Sequence, residues 1–227
     1  MGDRGDTVVV RYGIRHVPTP EREASLAAMR VELRGSEVDV FVDNDRLGPW
    51  NSWMALTMRL ALESDAMHFV LLDDDLKLCP EFTTVVERLI DQRPNDVMGL
   101  YANTTSALAA EGGWLVSKAL WACALIWPRK LFFDFCIWQG ANLDQAKAGR
   151  HDDVRVAYWL KHTKRDIYMP VPSLVDHVSE YSLYHDRRVT NQRATLFNSD
   201  PEVRYSGPEV RYYHSQTGRF PGWLCSR

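Results

Sequence analysis

The amino-acid sequence predicts an α/β protein with a mostly parallel sheet flanked by helices. Short apolar runs alternate with amphipathic segments through about the first hundred residues, as strands and helices do in βαβ units. Two of these apolar runs end in a group of carboxylates, which would place the acids at the carboxyl edge of the sheet. With 227 residues, of which 45% are hydrophobic and 25% charged, the chain is large enough to bury a full core.

The first strand is predicted at residues 7–11, and Tyr12 and Gly13 are predicted to form a turn after it. This arrangement would place Arg11 and Arg15 near the carboxyl edge of the sheet. Either guanidinium group could then face a diphosphate.

The next elements complete a first βαβ repeat. A helix is predicted at residues 21–33, and the alternating pattern of Val38–Val42 indicates a second strand. Asp43 and Asp45 follow this strand and are therefore expected at the same edge of the sheet. An amphipathic helix at residues 52–63 then leads to the third strand.

The third strand carries the acids around which the site is predicted. Residues 69–72 are all apolar, a run too short for a helix core but typical of a strand buried on both faces. Asp73, Asp74 and Asp75 follow at once, where ligands of open α/β sheets bind. Because side chains alternate along an extended chain, Asp73 and Asp75 would share a face. A solvated acidic turn is the alternative, but three adjacent like charges favour a divalent cation.

A helix at residues 81–92 and a strand at residues 97–101 extend the alternation. The chain has neither the glycine-rich fingerprint of dinucleotide-binding folds nor a P-loop. If a nucleotide binds at this sheet, we therefore expect a metal rather than a glycine-rich loop to hold its phosphates. A buried strand is expected at residues 121–127.

Asp152 and Asp153 stand where a helix through residue 160 would begin. One of them could simply cap this helix. The alternative is a general base, which would need hydrophobic or anionic surroundings to raise its pKa against the helix dipole.

Two further positions are candidates for ligand contacts. Trp114, which follows Gly112 and Gly113, could be a stacking platform for a sugar or a base, although aromatic residues are most often part of the core. His177 comes at the end of an extended segment, where it could be a ligand or a structural histidine.

The composition favours a reduced, cytoplasmic protein. No metal-site spacing relates the four cysteines, Cys79, Cys123, Cys136 and Cys225. The first residues contain no apolar signal-peptide region, and no run reaches 18 apolar residues. We therefore expect neither a signal peptide nor a membrane span.

The order of these landmarks resembles the GT-A class of glycosyltransferases, in particular the family 2 type with its Asp-x-Asp motif. The resemblance covers about residues 8–183 and implies a GT-A-like catalytic domain over residues 1–183. Residues 184–227, where arginines alternate with aromatic residues, would form a carboxyl-terminal extension or lid. The landmarks are Asp73-Asp74-Asp75, Gly112-Gly113-Trp114, His151-Asp152-Asp153 and Pro172-Ser-Leu-Val-Asp-His177.

The resemblance also implies a role for each matching position. Asp75, with Asp73 or Asp74, and His177 would hold Mn²⁺ or Mg²⁺ against the diphosphate of a nucleotide sugar, with a UDP-sugar as the expected donor. Asp153, with Asp152 beside it, would deprotonate an acceptor hydroxyl in an inverting transfer. The acceptor would contact Gly113 and Trp114. The other donor contacts would come from Arg11, Arg15, Asp43, Asp45, Asp73 and Asp74.

Small transferases of this class without a membrane anchor occur in phages and bacteria. A modified base in DNA is therefore a candidate acceptor, and the host cytoplasm a candidate location. Two other functions stay open. A nucleotidyltransferase acting on a sugar phosphate normally needs a glycine-rich basic loop after its first strand, whereas a non-catalytic nucleotide-sugar-binding module needs no general base.

Overall fold

The computed structural model shows a mixed α/β fold in which helices cover both faces of an eight-stranded sheet. The five helices of the described residues are α1 Pro20–Glu32, α2 Pro49–Glu63, α3 Phe82–Gln92, α4 Arg129–Ala141 and α5 Asp152–Thr163. The structure describes residues 10–102, 109–111, 114–117, 120–142, 151–178, 181–182, 187–188, 194 and 197.

Twelve strands lie within these residues. The first six are β1 Val10–His16, β2 Val38–Val42, β3 His68–Asp73, β4 Leu76–Leu78, β5 Met98–Gly99 and β6 Ala109–Glu111. The others are β7 Trp114–Ser117, β8 Ala124–Pro128, β9 Ile167–Pro170, β10 Val175–His177, β11 Tyr181–Ser182 and β12 Arg187–Arg188.

The large sheet has the strand order β2-β1-β3-β8-β5-β9-β7-β6. Parallel pairs join β1 to β2 and β3, and β5 to β9, whereas β8 and β7 are antiparallel to both of their neighbours. Six of the eight strands therefore point in one direction, which confirms the predicted mostly parallel sheet with flanking helices. Beyond the end of β3, β10 pairs with β4 and places His177 opposite Leu76.

The third strand is buried on both faces, as its apolar run predicted. Val70 and Leu72 pack in a cluster that includes residues of α1 and α3. Phe69 and Leu71 point to the opposite face and pack with residues of α2, α4 and α5. Alternation along one strand thus divides the core into two layers and fixes the carboxyl end of β3 at the centre of one edge of the sheet.

Aromatic rings dominate the layer that contains α2, α4 and α5. Trp127 on β8 lies 5.5 Å, between ring centroids, from both Phe135 and Trp159. Trp53 on α2 meets Trp127 edge to face at 6.1 Å. These large side chains are almost completely buried, so this layer contributes much of the apolar burial that stabilises the fold.

The predicted turn at Tyr12 and Gly13 was wrong, because both residues lie inside β1. Gly13 pairs with Asp39 of β2 and with Leu71 of β3. A Cβ atom at Gly13 would lie only 2.7 Å from Cδ1 of Leu60, so the glycine allows α2 to approach the strand closely. Its role is therefore in packing rather than in a change of chain direction.

No helix in the described ranges is both long enough and apolar enough to cross a membrane. Of the predicted extension, only residues 187, 188, 194 and 197 are among the described residues. The division of the chain at residue 183 therefore stays a prediction.

Candidate functional site

A cavity of about 380 Å³ lies at the carboxyl edge of β1, β2 and β3. Its wall also includes the beginning of α2, the residues before β8, the beginning of α5 and the end of β10. The lining residues are Arg15, Val17, Arg22, Asp43, Arg46, Gly48, Pro49, Ser52, Asp73, Asp74, Asp75, Trp121, Ala122, Cys123, His151, Asp152, Asp153 and His177.

Asp74, in the middle of the acidic triplet, is buried and holds neighbouring elements together. Its Oδ2 accepts a hydrogen bond from the backbone N of Val17 and lies 2.8 Å from Nδ1 of His16. Its Oδ1 accepts a hydrogen bond from Nη1 of Arg22 at 2.5 Å. Both oxygens of Asp74 are thus engaged in joining the ends of β1 and β3 to the first turn of α1.

Asp75 has one carboxylate oxygen that is buried without a hydrogen-bond partner in the described part of the chain. Its Oδ2 lies 2.9 Å from Nη1 of Arg22 and 3.4 Å from Nδ1 of His177. Its Oδ1 is buried and has no hydrogen-bond partner among the described residues. Burial favours the protonated acid, but the neighbouring His177 and the charge of Arg22 hold the pKa of Asp75 below its usual value.

His177 lies at the end of β10, almost completely buried beside Asp75. Burial disfavours the charged imidazole, yet the neighbouring Cys123 and Asp75 raise the pKa of His177 to about 11. The ring of Tyr101 packs against the imidazole at 5.2 Å between centroids. The side chain is therefore fixed in orientation by both an ionic and an aromatic neighbour.

Arg15 connects three parts of the cavity wall. Its Nη2 lies 2.6 Å from Oδ1 of Asp73, and its Nη1 lies 2.7 Å from Oδ2 of Asp152 and donates to the carbonyl of Pro49. Burial raises the pKa of Asp73 to about 7, with Arg15 opposing this shift and the negative charges of Asp75 and Asp152 adding to it. The ends of β1 and β3 are thereby joined to the first residues of α2 and α5.

The two acids at the start of α5 have different surroundings. Asp152 is buried, and its carboxylate accepts hydrogen bonds from Arg15 and from the backbone N of Asp153. Asp153 is half-buried and lines the cavity, and its Oδ1 accepts one hydrogen bond from the backbone N of Val154 at 2.7 Å. Burial, and secondly the charge of Asp152, raise the pKa of Asp153. A general base at the start of a helix needs surroundings that raise its pKa, and Asp153 has such surroundings.

Not every predicted donor contact reaches the cavity. Asp43 lines it, buried, with its Oδ1 accepting a hydrogen bond from the backbone N of Leu47. Asp45 is exposed and is not part of the wall. Arg11 hydrogen-bonds to Asp39 and, four residues before Arg15 on the same strand, lies about 13 Å from the cavity end of β1.

Of the two predicted acceptor contacts, Trp114 lies away from the cavity and Gly113 is not among the described residues. Trp114 is 5% exposed and packs edge to face against Tyr168, with the guanidinium of Arg93 5.2 Å from its ring. It is not in the cavity wall, so its position fits a core residue rather than a platform. Gly113 lies outside the described residues.

Several residues of the wall were not predicted as site residues from the sequence, among them Arg22, Arg46 and Trp121. Arg22 reaches the acids only because α1 folds back over the end of β3, which no local pattern reveals. Arg46 was detectable in principle, since it lies in the polar loop after β2 at the predicted ligand edge; its φ of 51° is in the left-handed region. Trp121 precedes β8 and was assigned to the core with its neighbours.

Within the described residues, no three His, Cys, Asp or Glu side chains are arranged as a metal site as they stand. Asp73, Asp75 and His177 nevertheless share one cavity and offer carboxylate oxygens and an imidazole, the donor types of Mn²⁺ sites. The buried Oδ1 of Asp75 without a partner is the observation that fits a cation, because such an atom is costly to leave unpaired.

No protein-family profile and no curated protein matches the chain. Among solved structures, the fold is similar to one titled "Crystal Structure of A197 from STIV". The identity is 14%, the match covers 82% of this chain and 95% of the other, and the TM-score is 0.46. A likeness at this level carries no conclusion about the activity of this chain.

Proposed function

We propose that the chain is a metal-dependent glycosyltransferase that moves a sugar from a nucleotide-sugar donor to an acceptor hydroxyl. The observation that carries the proposal is the combination, in one cavity, of two unlike carboxylates. Asp75 has a buried oxygen without a partner, as a cation ligand would, and Asp153 has a raised pKa, as a general base would.

Asp73, Asp75 and the neutral form of His177 would hold Mn²⁺ or Mg²⁺, which when bound supplies positive charge next to the diphosphate of the donor. Because the pKa of His177 is raised, binding of the cation would release the proton of the imidazole. Arg46 adds a second cation from the chain itself, since it is exposed, lines the cavity and forms no ion pair with any described residue. Arg15 and Arg22 are less suited to phosphate because carboxylates already engage them.

The donor would lie along the edge of the sheet, with its nucleoside near Asp43 and its diphosphate near Asp75 and Arg46. A UDP-sugar is the donor that we propose to test first. The protein would provide a fixed set of charged and polar groups at the carboxyl ends of the strands, which is where α/β folds bind nucleotides.

Asp153 would accept the proton of the attacking hydroxyl. Asp152, held by Arg15, fixes the first turn of α5 and so the direction of the Asp153 carboxylate. A positioned base of this kind contributes about 10² to 10⁴ in rate. Direct attack by the acceptor would invert the configuration of the sugar, and a modified base in DNA is the proposed acceptor class.

The nucleotidyltransferase alternative gains no support from the first strand. Gly13, the glycine that follows the first apolar run, lies within β1 against Leu60 rather than in a loop that could surround phosphates.

A donor-turnover assay tests the proposal. The protein is incubated with Mn²⁺ and a panel of UDP-sugars, and UDP and free sugar are measured with and without EDTA. Metal-dependent release of both products supports a glycosyltransferase. Release of pyrophosphate from a nucleoside triphosphate and a sugar phosphate would identify a nucleotidyltransferase, and binding without turnover would identify a binding module. Either of the last two results contradicts the proposal.

A further inference from the structure

Trp121 is a half-buried tryptophan in the cavity wall, just before β8. The carbonyl of Cys123, two residues later, accepts a hydrogen bond from the backbone N of Asp73 at 2.8 Å. The segment that carries the indole is therefore attached directly to the acidic end of β3. Ala122, between them, adds a small apolar surface to the same wall.

A buried ring fixes the position of this indole. Tyr101, 1% exposed, meets Trp121 edge to face with 6.4 Å between ring centroids. The same ring meets the imidazole of His177 at 5.2 Å. Tyr101 thus packs between the indole of Trp121 and the imidazole of His177 and holds these two rings at a fixed separation.

The strand order shows which part of an elongated ligand would reach Trp121. The sequence of neighbours at this edge is β2, β1, β3 and β8, so Asp43 and Trp121 stand on opposite sides of the acidic triplet. Three strand spacings separate β2 from β8, a distance of about 14 Å. A ligand whose nucleoside lies near Asp43 and whose diphosphate lies near Asp75 would extend its third part towards β8.

We propose that Trp121 forms the sugar subsite and that its indole stacks on the pyranose ring of a hexose in the donor. This inference rests on the proposed function and assigns to it the residue that binds the transferred sugar. The face of a pyranose presents C–H groups that are apolar and slightly positive, and the face of an indole is its electron-rich side. An indole already fixed by Tyr101 also loses little side-chain freedom when the sugar binds.

The test compares the affinities of a UDP-hexose and of UDP by titration calorimetry with Mn²⁺ present. The UDP-hexose is the one from a panel that binds most tightly to the wild-type protein. Trp121→Leu keeps an apolar side chain without an aromatic face, and we expect it to weaken UDP-hexose binding about tenfold, at the lower end of the range for a nucleobase stacked on an aromatic side chain. Its affinity for UDP should change by less than about twofold, since UDP lacks the sugar that stacks. Trp121→Phe should retain most of the affinity for UDP-hexose.

Trp50→Leu is the matched control. Trp50 is also half-buried, but it stacks on Trp53 at 5.7 Å and is not part of the cavity wall. Its replacement should leave the ratio of the two affinities unchanged.

The outcomes separate the two proposals. If the wild-type protein binds the UDP-hexose and Trp121→Leu alters both affinities equally or neither, the sugar subsite is overturned while the proposed function stands. If the wild-type protein binds neither UDP nor any UDP-sugar, both are overturned. Should Trp121→Leu fail to fold, tryptophan emission decides: UDP-hexose should change the emission of the wild-type protein more than that of Trp121→Phe, and equal changes would refute the stacking.

Discussion

Nη1 of Arg15 lies 2.7 Å from Oδ2 of Asp152, an ion pair that spans 137 residues of the chain. It joins the carboxyl end of β1 to the first residue of α5, and these two ends meet at the cavity. Because Arg15 also pairs with Asp73, one guanidinium faces two carboxylates, of which Asp152 is buried and Asp73 is half-buried. Arg15 therefore neutralises part of the acidic edge without a cation.

Removal of Arg15 should destabilise the fold strongly. Arg15→Met would leave Asp73 and Asp152 without their counter-charge, and we expect a loss of about 3–5 kcal/mol in the free energy of unfolding, measured by urea denaturation at pH 7. Arg11→Met is the control on the same strand, because Arg11 pairs with the exposed Glu37 and with Asp39, which keeps Arg59 at 3.5 Å, so its loss should cost about 1 kcal/mol or less. Equal losses for both variants would contradict a special role of Arg15.

Asp153→Asn should retain donor binding and lose transfer by about 10² to 10⁴ in rate, since the amide cannot accept the proton. In the wild-type protein, kcat/KM should rise with pH through a pKa above the usual aspartate value, because burial and Asp152 raise the pKa of Asp153. The measurement is a pH–rate profile at saturating Mn²⁺. Wild-type turnover in Asp153→Asn would exclude this residue as the base.

The same pKa shift should appear in stability without any substrate. A raised pKa means that the folded state binds the proton of Asp153 more tightly than the unfolded chain does. Its contribution to stability is therefore complete below the unfolded pKa and is lost as the pH rises through the folded pKa. Asp153→Asn mimics the protonated acid, so its melting temperature should exceed that of the wild type at pH 7 and approach it near pH 3.5. A constant difference across this range would be inconsistent with the shift.

Asp75→Ala should abolish the Mn²⁺-dependent part of UDP binding, because it removes the buried oxygen that would face the cation. The comparison is calorimetric, with Mn²⁺ and with EDTA. Asp45→Ala serves as control, since Asp45 is an exposed acid outside the cavity wall. An unchanged metal dependence in Asp75→Ala would remove this residue from the metal site.

Arg46→Gly should weaken UDP binding about tenfold, the usual scale for one lost charge-assisted contact. The variant should fold at least as stably as the wild type, because glycine adopts the positive φ of this position without the penalty that other residues incur. Thermal melting and calorimetry together separate the two effects. The control is Arg30→Gln, which removes one positive charge at an exposed position of α1. Glutamine is used there because glycine would destabilise the helix.

An anionic polymer as acceptor makes a separate prediction. Transfer to DNA that carries hydroxymethylated bases should fall steeply between about 50 and 200 mM salt, because each phosphate contact releases counterions. Turnover of the UDP-sugar without acceptor should be much less sensitive. A transfer rate that does not depend on salt would argue for a small neutral acceptor.

The sequence predicted the elements whose signals are local. The boundaries of β2 agree with the prediction, α1 differs by one residue at each end, and α5 begins at the predicted acids. The position of the triplet at the end of a strand buried on both faces was predictable as well, because a short apolar run followed by charges has few other solutions.

Tertiary packing explains what the sequence could not predict. The pair Tyr12 and Gly13 has the composition of a turn, and only the close approach of the Leu60 side chain shows why a residue without a Cβ atom suits this position in a strand. Trp114 follows two glycines and Trp121 follows Leu120 at the start of an apolar run, and neither local context tells which indole reaches the cavity. Arginines from β1 and α1 also pair with the acids, a compensation that the sequence, from which a divalent cation was the simplest expectation, does not reveal.

The three donors on Asp74 affect how mutations of the triplet should be interpreted. If an Asp74 variant is inactive, the first cause to consider is that α1 and the end of β1 are no longer held to β3, rather than the loss of a contact with substrate. Alanine scanning of the three acids would then attribute a folding defect to chemistry. A melting curve recorded beside each assay distinguishes the acid that builds this edge from the neighbours that serve the ligand.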